Sequence, residues 1–313
     1  MNIYDVIIVG GGPAGASGAI YAARKRLNSI VLTKDFGGQS TSSGQIENWL
    51  GTIHMSGIEL GKMIKGHVEH YRGDCLEIKE GKYVQSITKE REGLFMVKTE
   101  DGKDYMARTV LVCSGAKRRK LDSSIPGADS FEHKGISYCA TCDAPMFSDQ
   151  DVVVVGGGNA AFETATQLLD YAKTVTLMTR GPEFRADSIL IDGFFANRSA
   201  KGVTDVDIVE IKGESMVGGL VYRDKKTGKK LNLTVTGIFV EIGTVPANSF
   251  MKDLVKIDTN GSIVVDHKSQ RTSTDGIWAA GDCTDSLYKQ NIIAAGDGAK
   301  ALEDIYRYLK SNG

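Results

Sequence analysis

Residues 5–15 read DVIIVGGGPAG, an apolar run followed at once by clustered glycines. A nearly continuous apolar run is typical of a strand that is buried on both faces of a parallel sheet. The glycines follow the pattern G-x-G-x-x-G at the start of a helix of small residues, and a second apolar run covers 29–32. These features predict a β-α-β unit whose glycine-rich turn holds the pyrophosphate of a dinucleotide.

The same arrangement returns later in the chain, where residues 151–161 read DVVVVGGGNAA and a strand is predicted over 174–178. The sequence therefore predicts an α/β fold with two Rossmann-like dinucleotide-binding units. Hinges between them are expected near 115–120 and 243–247. Further strands are predicted over 95–99, 107–112, 219–224, 232–241, 262–266 and 276–280, with a last helix over 291–308.

The composition narrows the class of protein. With 313 residues the chain can form two domains, and its 38 Lys+Arg against 39 Asp+Glu give a net charge of −1. A near-neutral chain offers no electrostatic footprint for nucleic acid or an anionic membrane. No apolar run approaches the roughly 18–20 residues of a membrane span, and the N-terminus lacks a signal-peptide pattern. We expect a cytoplasmic protein that binds neither nucleic acid nor membrane.

Two cysteines stand close together just before the second unit, in the stretch CATCD at residues 139–143. A C-x-x-C motif beside a β-α-β unit is typical of a redox dithiol, because two intervening residues close a small, reducible disulfide ring. A zinc site is the alternative, but no second C-x-x-C motif or histidine cluster complements this one. Asp143 follows the pair directly, where its carboxyl could move protons as the dithiolate forms or could cap a helix.

The remaining cysteines and one charged run carry weaker signals. Cys75, Cys113 and Cys283 show no pairing pattern and are expected to be small buried side chains or unreactive thiols. Residues 117–120 read KRRK near the first predicted hinge. Such a run is expected to form a solvated face, with a docking patch for an acidic protein as the alternative.

The residue about 20 positions after each glycine pattern indicates which nucleotide binds there, because it contacts the ribose 2′ position. A carboxylate there holds a ribose 2′-hydroxyl, whereas an arginine accommodates a 2′-phosphate. The first unit offers Asp35, although Lys34 or the backbone could hold the ribose instead. The second unit has Thr179 at this position, followed by Arg180 and Arg185. The arginines predict a 2′-phosphate site, unless they are merely solvated surface charges.

Two dinucleotide units with one C-x-x-C motif at the head of the second form a pattern that resembles the low-molecular-weight thioredoxin reductases. The match runs nearly from end to end. The motifs that carry it are GGGPAG (10–15), GGQ (37–39), IENWLG (46–51), CATCD (139–143), GGGNAAFE (156–163), AGD (280–282) and KQNI (289–292). Residues 288–294, YKQNIIA, are also similar to the flavoprotein subunit of alkyl hydroperoxide reductase.

The resemblance implies an FAD domain, 1–116 and 246–313, split around an inserted NADPH domain, 117–245, and it implies a homodimer. It also implies that electrons pass from NADPH through FAD to the Cys139–Cys142 pair and then to a thioredoxin-like protein. Cys142 would face the flavin, Cys139 would attack the partner disulfide, and Asp143 would be the acid. Because the dithiol and the nucleotide site share one domain, the mechanism requires that domain to rotate about the two hinges.

The glycine patterns and the resemblance together give the expected cofactor-binding residues. Those expected to bind FAD are Gly10, Gly12, Pro13, Ala14, Gly15, Asp35, Gly38, Gln39, Asn48, Gly115, Gly281, Asp282, Lys289, Gln290, Asn291 and Ile292. Those expected to bind the nicotinamide nucleotide are Gly156, Gly158, Asn159, Ala160, Ala161, Glu163, Arg180 and Arg185. By resemblance, Gly281 and Asp282 meet the ribityl–phosphate portion of FAD, and Glu163 lies near the nicotinamide.

One departure from the family pattern leaves the identity of the electron donor undecided. The family usually carries a histidine, two arginines and a further arginine around the 2′-phosphate, and TRGPEFR at 179–185 keeps two of these basic residues. NADH, reduced ferredoxin or another flavin source are therefore alternative donors for the same disulfide chemistry. A ferredoxin–NADP reductase-like enzyme, which needs no cysteines, and a flavin redox sensor without turnover are the alternative functions.

Overall fold

The structure is a computed structural model that describes residues 2–43, 46–91, 93–251 and 253–311. The chain forms two compact units. Unit 1 contains the described residues of Met1–Thr41, Ile46–Lys117 and Val245–Gly313, and unit 2 contains those of Ser42–Gln45 and Arg118–Thr244. The domain boundaries predicted from the sequence stay a prediction about which segments form each nucleotide-binding domain.

The elements follow one another in chain order. The strands are β1 (Ile3–Gly11), β2 (Ser29–Phe36), β3 (Leu76–Glu80), β4 (Val84–Arg91), β5 (Leu94–Thr99), β6 (Asp104–Val112), β7 (Ala116–Arg118), β8 (Ile136–Ser137), β9 (Asp151–Gly156), β10 (Thr174–Met178), β11 (Ala200–Val203), β12 (Val206–Gly213), β13 (Val217–Asp224), β14 (Lys230–Leu233), β15 (Gly237–Glu241), β16 (Thr244–Pro246) and β17 (Ile277–Ala279). The α-helices are α1 (Pro13–Arg24), α2 (Gly57–His70), α3 (Ala140–Asp143), α4 (Asn159–Leu168), α5 (Ser188–Phe195) and α6 (Asn291–Ser311). Short 3₁₀ helices cover Gly38–Ser42, Ala144–Phe147 and Ser249–Met251.

Unit 1 is built on a sheet with the strand order β3-β2-β1-β6-β5-β4, and β17 pairs with β6. Strands β1, β2, β3, β6 and β17 run parallel, whereas β4, β5 and β6 pair antiparallel. Val6 and Ile8 pack with side chains of α1, α2 and α6, while Ile7 packs on the opposite face. The apolar run of β1 is therefore buried on both faces, as the sequence predicted.

Unit 2 repeats this organisation on a smaller scale. Its five-stranded sheet has the order β11-β10-β9-β15-β8, all pairs being parallel, and a separate antiparallel sheet joins β12, β13 and β14. Val152 and Val154 pack with Phe162 of α4, while Val153 and Val155 pack with residues of the three-stranded sheet. The α/β prediction is confirmed, and no helix among the described residues is long and apolar enough to cross a membrane.

Two predicted strands differ from the observed elements. The strand predicted over 232–241 is two strands, because β14 pairs with β13 and β15 pairs with β9 in another sheet. The strand predicted over 262–266 is reduced to isolated bridges. There, side-chain carboxylates take the backbone donors that a ladder would use, since Asp258 accepts from Ser262 N at 2.7 Å and Asp285 accepts from Val265 N at 3.2 Å.

Candidate functional site

The glycine-rich turn of unit 1 leaves an open cradle at the start of α1. Gly10 has φ +111°, and a Cβ there would collide with the carbonyl of Cys113. A Cβ on Gly15 would collide with the carbonyl of Gly10, so both glycines are needed for close packing inside the protein. Gly12 is the N-cap of α1, and a Cβ there would meet nothing within 4 Å. The space above Gly12 therefore fits a pyrophosphate that hydrogen-bonds to the amides of the helix terminus.

Several residues predicted to bind FAD lie beside this cradle. Pro13, Ala14 and Gly15 form the first turn of α1. A Cβ on Gly38 would lie 3.5 Å from Gly12 Cα, and Gln39 donates to the carbonyl of Ala116 at 2.6 Å. Asp35 is exposed near the end of β2, where its carboxylate lies 3.7 Å from Lys34 Nζ. Its backbone carbonyl lies beside Gly11 of the glycine turn, and whether its carboxylate holds a ribose stays a prediction.

The segment from Gly281 to the start of α6 supplies a second group of predicted FAD residues. Burial raises the pKa of the Asp282 carboxyl above its ordinary value, and the nearby Lys289 ammonium opposes this shift. Lys289 is fixed by donating to the carbonyl of Thr284 at 2.6 Å. Gln290 Oε1 accepts from Asn48 at 3.2 Å. The fold of unit 1 therefore brings Asn48 next to Gln290, as the resemblance implied for residues around the flavin.

The first turn of α6 extends this group. Asn291 Oδ1 accepts from Ser40 Oγ at 2.8 Å, which ties α6 to the 3₁₀ helix that contains Gly38. Ile292 follows in the same turn and is exposed. Gly115 lies three residues after the end of β6 with φ +66°, a conformation that favours glycine. The predicted FAD residues thus come from chain segments far apart in sequence, within one unit.

Unit 2 carries a second cradle of the same design. A Cβ on Gly156 would collide with the carbonyl of Glu241, and one on Gly157 would lie 2.5 Å from Thr179 Oγ1. Gly158 is the N-cap of α4, and a Cβ there would meet nothing within 4 Å. The first turn of α4 contains Asn159, Ala160 and Ala161. This open turn fits the pyrophosphate of a second dinucleotide.

A buried group of charges lies between α4 and the end of β15. Arg118 forms a hydrogen-bonded ion pair with Glu241, which also accepts from Thr164 Oγ1 at 2.9 Å. Burial raises the pKa of Glu163, and the nearby Arg118 guanidinium opposes this shift. The Arg118 side chain is only 24% exposed, so the prediction of a solvated KRRK run is wrong for this residue. The Arg118 guanidinium is instead held by the buried carboxylate of Glu241, which lies 123 residues away in the sequence.

Three cationic side chains surround one carboxylate near the end of β10. Arg180 Nε lies 3.2 Å from Asp207 Oδ1, and Arg223 and Lys225 approach the same carboxylate at 3.6 Å. The Arg180 side chain is 81% exposed, and Arg185 is exposed with its backbone N–H donating to Gly157 O at 2.7 Å. Whether these arginines bind a 2′-phosphate stays a prediction. Sequence reasoning missed Asp207, Arg223 and Lys225, because no local pattern links the three-stranded sheet to β10.

The redox motif forms a closed disulfide. Cys139 and Cys142 are joined, with their Cα atoms 5.3 Å apart. Cys139 is the N-cap of α3, and the backbone N–H of Cys142 donates to Cys139 Sγ at 3.2 Å. A donor aimed at this sulfur favours negative charge on it once the disulfide opens. Among the described residues no group of three or more His, Cys, Asp or Glu side chains could hold a metal ion.

The Asp143 carboxylate is held by a residue that the motif does not include. Ser137 Oγ donates to Asp143 Oδ2 at 2.6 Å and accepts from the backbone N–H of Cys139 at 3.1 Å. Asp143 precedes the 3₁₀ helix Ala144–Phe147, but its side chain makes no capping hydrogen bond there. The helix-cap alternative for Asp143 therefore finds no support. Sequence reasoning missed Ser137, because a serine two residues before a cysteine carries no signal of its own.

The other three cysteines are free thiols. Cys113 and Cys283 are buried, and burial raises the pKa of both thiols, that of Cys113 strongly. Cys75 is partly exposed. Buried thiols with a raised pKa are poor nucleophiles, so Cys113 and Cys283 behave as small apolar side chains.

Comparisons with known proteins agree with this geometry. The family model for pyridine nucleotide-disulphide oxidoreductases matches residues 4–298. The chain is 37% identical over 309 residues to a Bacillus subtilis protein named NADH dehydrogenase, covering 99% of this chain and 59% of that one. It is 38% identical over 309 residues to a component of the alkyl hydroperoxide reductase of Escherichia coli, covering 98% and 58%. The chain thus spans about three fifths of the length of these curated relatives.

A solved structure matches over the whole length. The thioredoxin reductase of T. acidophilum is 35% identical, with a TM-score of 0.92 and all of both chains covered. This likeness confirms the predicted fold of two nucleotide-binding domains and the predicted resemblance.

Proposed function

The chain belongs to the pyridine nucleotide-disulphide oxidoreductases, and from this premise we propose that it is a thioredoxin-disulfide reductase that takes electrons from NADPH through FAD. One observation carries the proposal. The Cys139–Cys142 disulfide lies in the unit that also holds the second open glycine cradle. A reducible disulfide and a predicted nucleotide site in one unit, with a predicted flavin site in the other, supply the three parts that this electron transfer uses.

The residues of unit 1 suit FAD. Bound at the cradle, FAD would supply a two-electron relay between a nicotinamide and a disulfide. The backbone N–H groups of Ala14 and Gly15, which follow Pro13 in the first turn of α1, would hold its pyrophosphate, and the open space at Gly12 would let the backbone approach closely. Asp282, Lys289 and Gln290 would line the flavin side. Lys289 donates to the carbonyls of Asp282 and Thr284, and Gln290 accepts from Asn48.

The disulfide then passes the electrons on by thiol–disulfide exchange. After reduction, the Cys139 thiolate attacks one sulfur of the partner disulfide and forms a mixed disulfide. Cys142 attacks Cys139, which restores the intramolecular disulfide and releases the partner as a dithiol. The backbone N–H of Cys142 stabilises negative charge on Cys139 and so favours that sulfur as the attacking nucleophile.

The preference for NADPH rests on Arg180. This guanidinium stands at the end of β10, where a Rossmann unit reads the 2′ position of the adenosine ribose. Thr179 offers a hydroxyl there in place of the carboxylate that an NADH-specific site uses. A hydroxyl and an arginine suit a 2′-phosphate, which a carboxylate would repel.

A different donor is the second candidate, and one observation favours it. Asp207 already pairs with Arg180, and Gly181 stands where the family usually has its second arginine. NADH, reduced ferredoxin or another flavin source could then feed the same dithiol chemistry. The name of the Bacillus subtilis relative points in the direction of NADH.

One experiment tests the proposal. The purified protein is expected to be yellow, and anaerobic NADPH is expected to bleach the flavin absorbance band faster than NADH. Adding oxidised thioredoxin should restore the band with formation of free thiols. A colourless folded protein that takes up no FAD contradicts the proposal, and so does reduced flavin that never transfers electrons to thioredoxin. The homodimer and the cytoplasmic location stay predictions. Size-exclusion chromatography with light scattering would test the homodimer.

A further inference from the structure

Ser137 lies in a buried position two residues before the disulfide. It ends β8, which pairs in parallel with β15 through Ile136 and Ser137. Ser137 is only 4% exposed, so bulk water does not compete for the hydrogen bonds of its hydroxyl. A hydroxyl in this position can accept one hydrogen bond and donate another, and it does both.

Both of these hydrogen bonds end on the redox motif. The hydroxyl accepts from Cys139 N at 3.1 Å and donates to Asp143 Oδ2 at 2.6 Å, and Cys139 O lies at 3.4 Å as a longer second acceptor of the same O–H. Asp143 N in turn donates to Cys139 O at 3.1 Å, so the backbone and the side chain of Asp143 are both tied to the same turn. Asp143 Oδ1 has no hydrogen-bond partner within the part of the chain that the structure describes, which leaves this oxygen for another task.

We propose that Ser137 is a positioning residue that holds the Asp143 carboxyl beside the Cys139–Cys142 pair, where it delivers a proton to the sulfur that leaves the partner disulfide. The inference rests on the proposed function, since it takes this pair as the dithiol that reduces a partner. An unanchored aspartate would explore several rotamers and spend little time near the sulfurs. The serine removes that freedom by fixing one carboxyl oxygen to a strand.

The proton balance of the exchange shows what Asp143 does. The Cys139 thiol loses its proton to water, and its thiolate attacks one partner sulfur while the partner S–S bond breaks. The second partner sulfur leaves with the bonding electron pair and takes a proton from Asp143. Cys142 gives its proton to Asp143 and attacks Cys139, and the first partner sulfur leaves and takes a proton from water. Two electrons and two protons thus pass from the dithiol to the partner.

The test compares two disulfide probes that differ in their need for this proton. Bis(hydroxyethyl) disulfide releases a basic alkyl thiolate, whereas dithiobis(nitrobenzoic acid) releases an acidic aromatic thiolate that leaves without protonation. The FAD-loaded protein is reduced with dithionite and mixed with each probe, and the rate of one turnover is followed. Neither NADPH nor thioredoxin enters this assay. A protein that fails with thioredoxin but behaves as expected here overturns the proposed function and leaves the role of Ser137 intact.

Ser137→Ala is expected to slow the alkyl probe about tenfold relative to the aromatic probe, the effect of losing one hydrogen bond to a charged group. Ser137→Thr keeps a hydroxyl and is expected to retain most of the wild-type rate. Ser137→Val has the same shape as the threonine variant but no hydroxyl, and it is expected to be as slow as Ser137→Ala. Ser148→Ala is the control, because that exposed hydroxyl donates to Pro145 O near the same motif without touching Asp143. The Thr and Val pair keeps the comparison available should Ser137→Ala fail to fold.

A double-mutant cycle separates positioning from plain structural support. If Ser137 acts through Asp143, adding Ser137→Ala to Asp143→Asn slows the alkyl probe no further than Asp143→Asn alone. Effects that multiply, or an equal slowing of both probes by Ser137→Ala, overturn the proposal. Either result would mean that the hydroxyl only supports the backbone of Cys139.

Discussion

The glycines that leave the two cradles open allow a test that separates binding from folding. Gly158 has φ −103°, which alanine adopts without strain, and its added Cβ would meet no protein atom within 4 Å. Gly158→Ala should therefore fold as well as the wild type or better, by about 0.4–1 kcal/mol from the lower entropy of the unfolded chain. The same methyl group would occupy the space into which the pyrophosphate of the nicotinamide nucleotide must fit.

The expected loss in binding can be sized from the contacts that the methyl group prevents. A hydrogen bond from a backbone N–H to a phosphate is worth about 1.5–3 kcal/mol, so losing one weakens nucleotide binding about 10- to 150-fold. The assay follows flavin reduction over a range of NADPH concentrations, together with thermal unfolding. Gly158→Ala is expected to keep FAD, raise the apparent KM by that factor and leave the unfolding temperature unchanged or higher.

Gly193→Ala is the matched control in the same unit. Gly193 lies inside α5, and a Cβ there also meets nothing within 4 Å. Alanine in a helix interior is favoured over glycine by about 1 kcal/mol, so this variant should gain stability and keep its nucleotide dependence. If Gly158→Ala reduces its flavin with the wild-type KM, the cradle is not the nucleotide site. If Gly158→Ala unfolds while Gly193→Ala does not, the open space inferred at Gly158 is wrong.

Four further predictions concern the dithiol, the nucleotide preference and the buried ion pair. Cys142→Ser and Cys139→Ser should keep FAD and lose thioredoxin reduction in a coupled assay, and near wild-type turnover by either variant would refute the dithiol assignment. Arg180→Ala should weaken binding of 2′,5′-ADP about 10- to 150-fold without affecting 5′-AMP in titration calorimetry, whereas equal losses for both would refute a role for Arg180 at the 2′-phosphate. Asp207→Asn should strengthen binding of 2′,5′-ADP by freeing Arg180, and an unchanged affinity would show that Asp207 does not compete with the ligand. Arg118→Met should lower the free energy of unfolding by about 3–5 kcal/mol, because Glu241 is left buried without its charge partner, and denaturation at an unchanged midpoint would contradict this.

Local sequence patterns predicted the parts of this protein that local physics controls. The apolar run of β1 followed by Gly10, Gly12 and Gly15 specifies a buried strand, a tight turn and a helix start within a dozen residues, and the structure has all three. The C-x-x-C spacing likewise predicts a disulfide, because a single turn of the backbone brings Cys139 and Cys142 close enough to join.

Contacts between distant segments could not be predicted in this way. Arg118 belongs to a run of charged residues, a pattern that predicts an exposed side chain. Its partner Glu241 is distant in the sequence and lies beside it only in the folded chain. Asp207 reaches Arg180 from a separate sheet, and nothing in the stretch TRGPEFR announces it. Ser137 is an ordinary strand residue by pattern, and its role depends on the turn that α3 makes after Cys139.

The short sheet formed by β7 and β16 bears on how such a chain could have been assembled. Since neighbouring strands lie about 4.8 Å apart, the two crossings at residues 117–118 and 244–245 are separated by little more than one strand spacing. The segment 118–244 could therefore be closed on itself by a tight turn, at almost no cost in loop entropy. A gene segment encoding residues 118–244 could be moved from one host to another at this point without lengthening any connection, which makes the segment a transferable cassette.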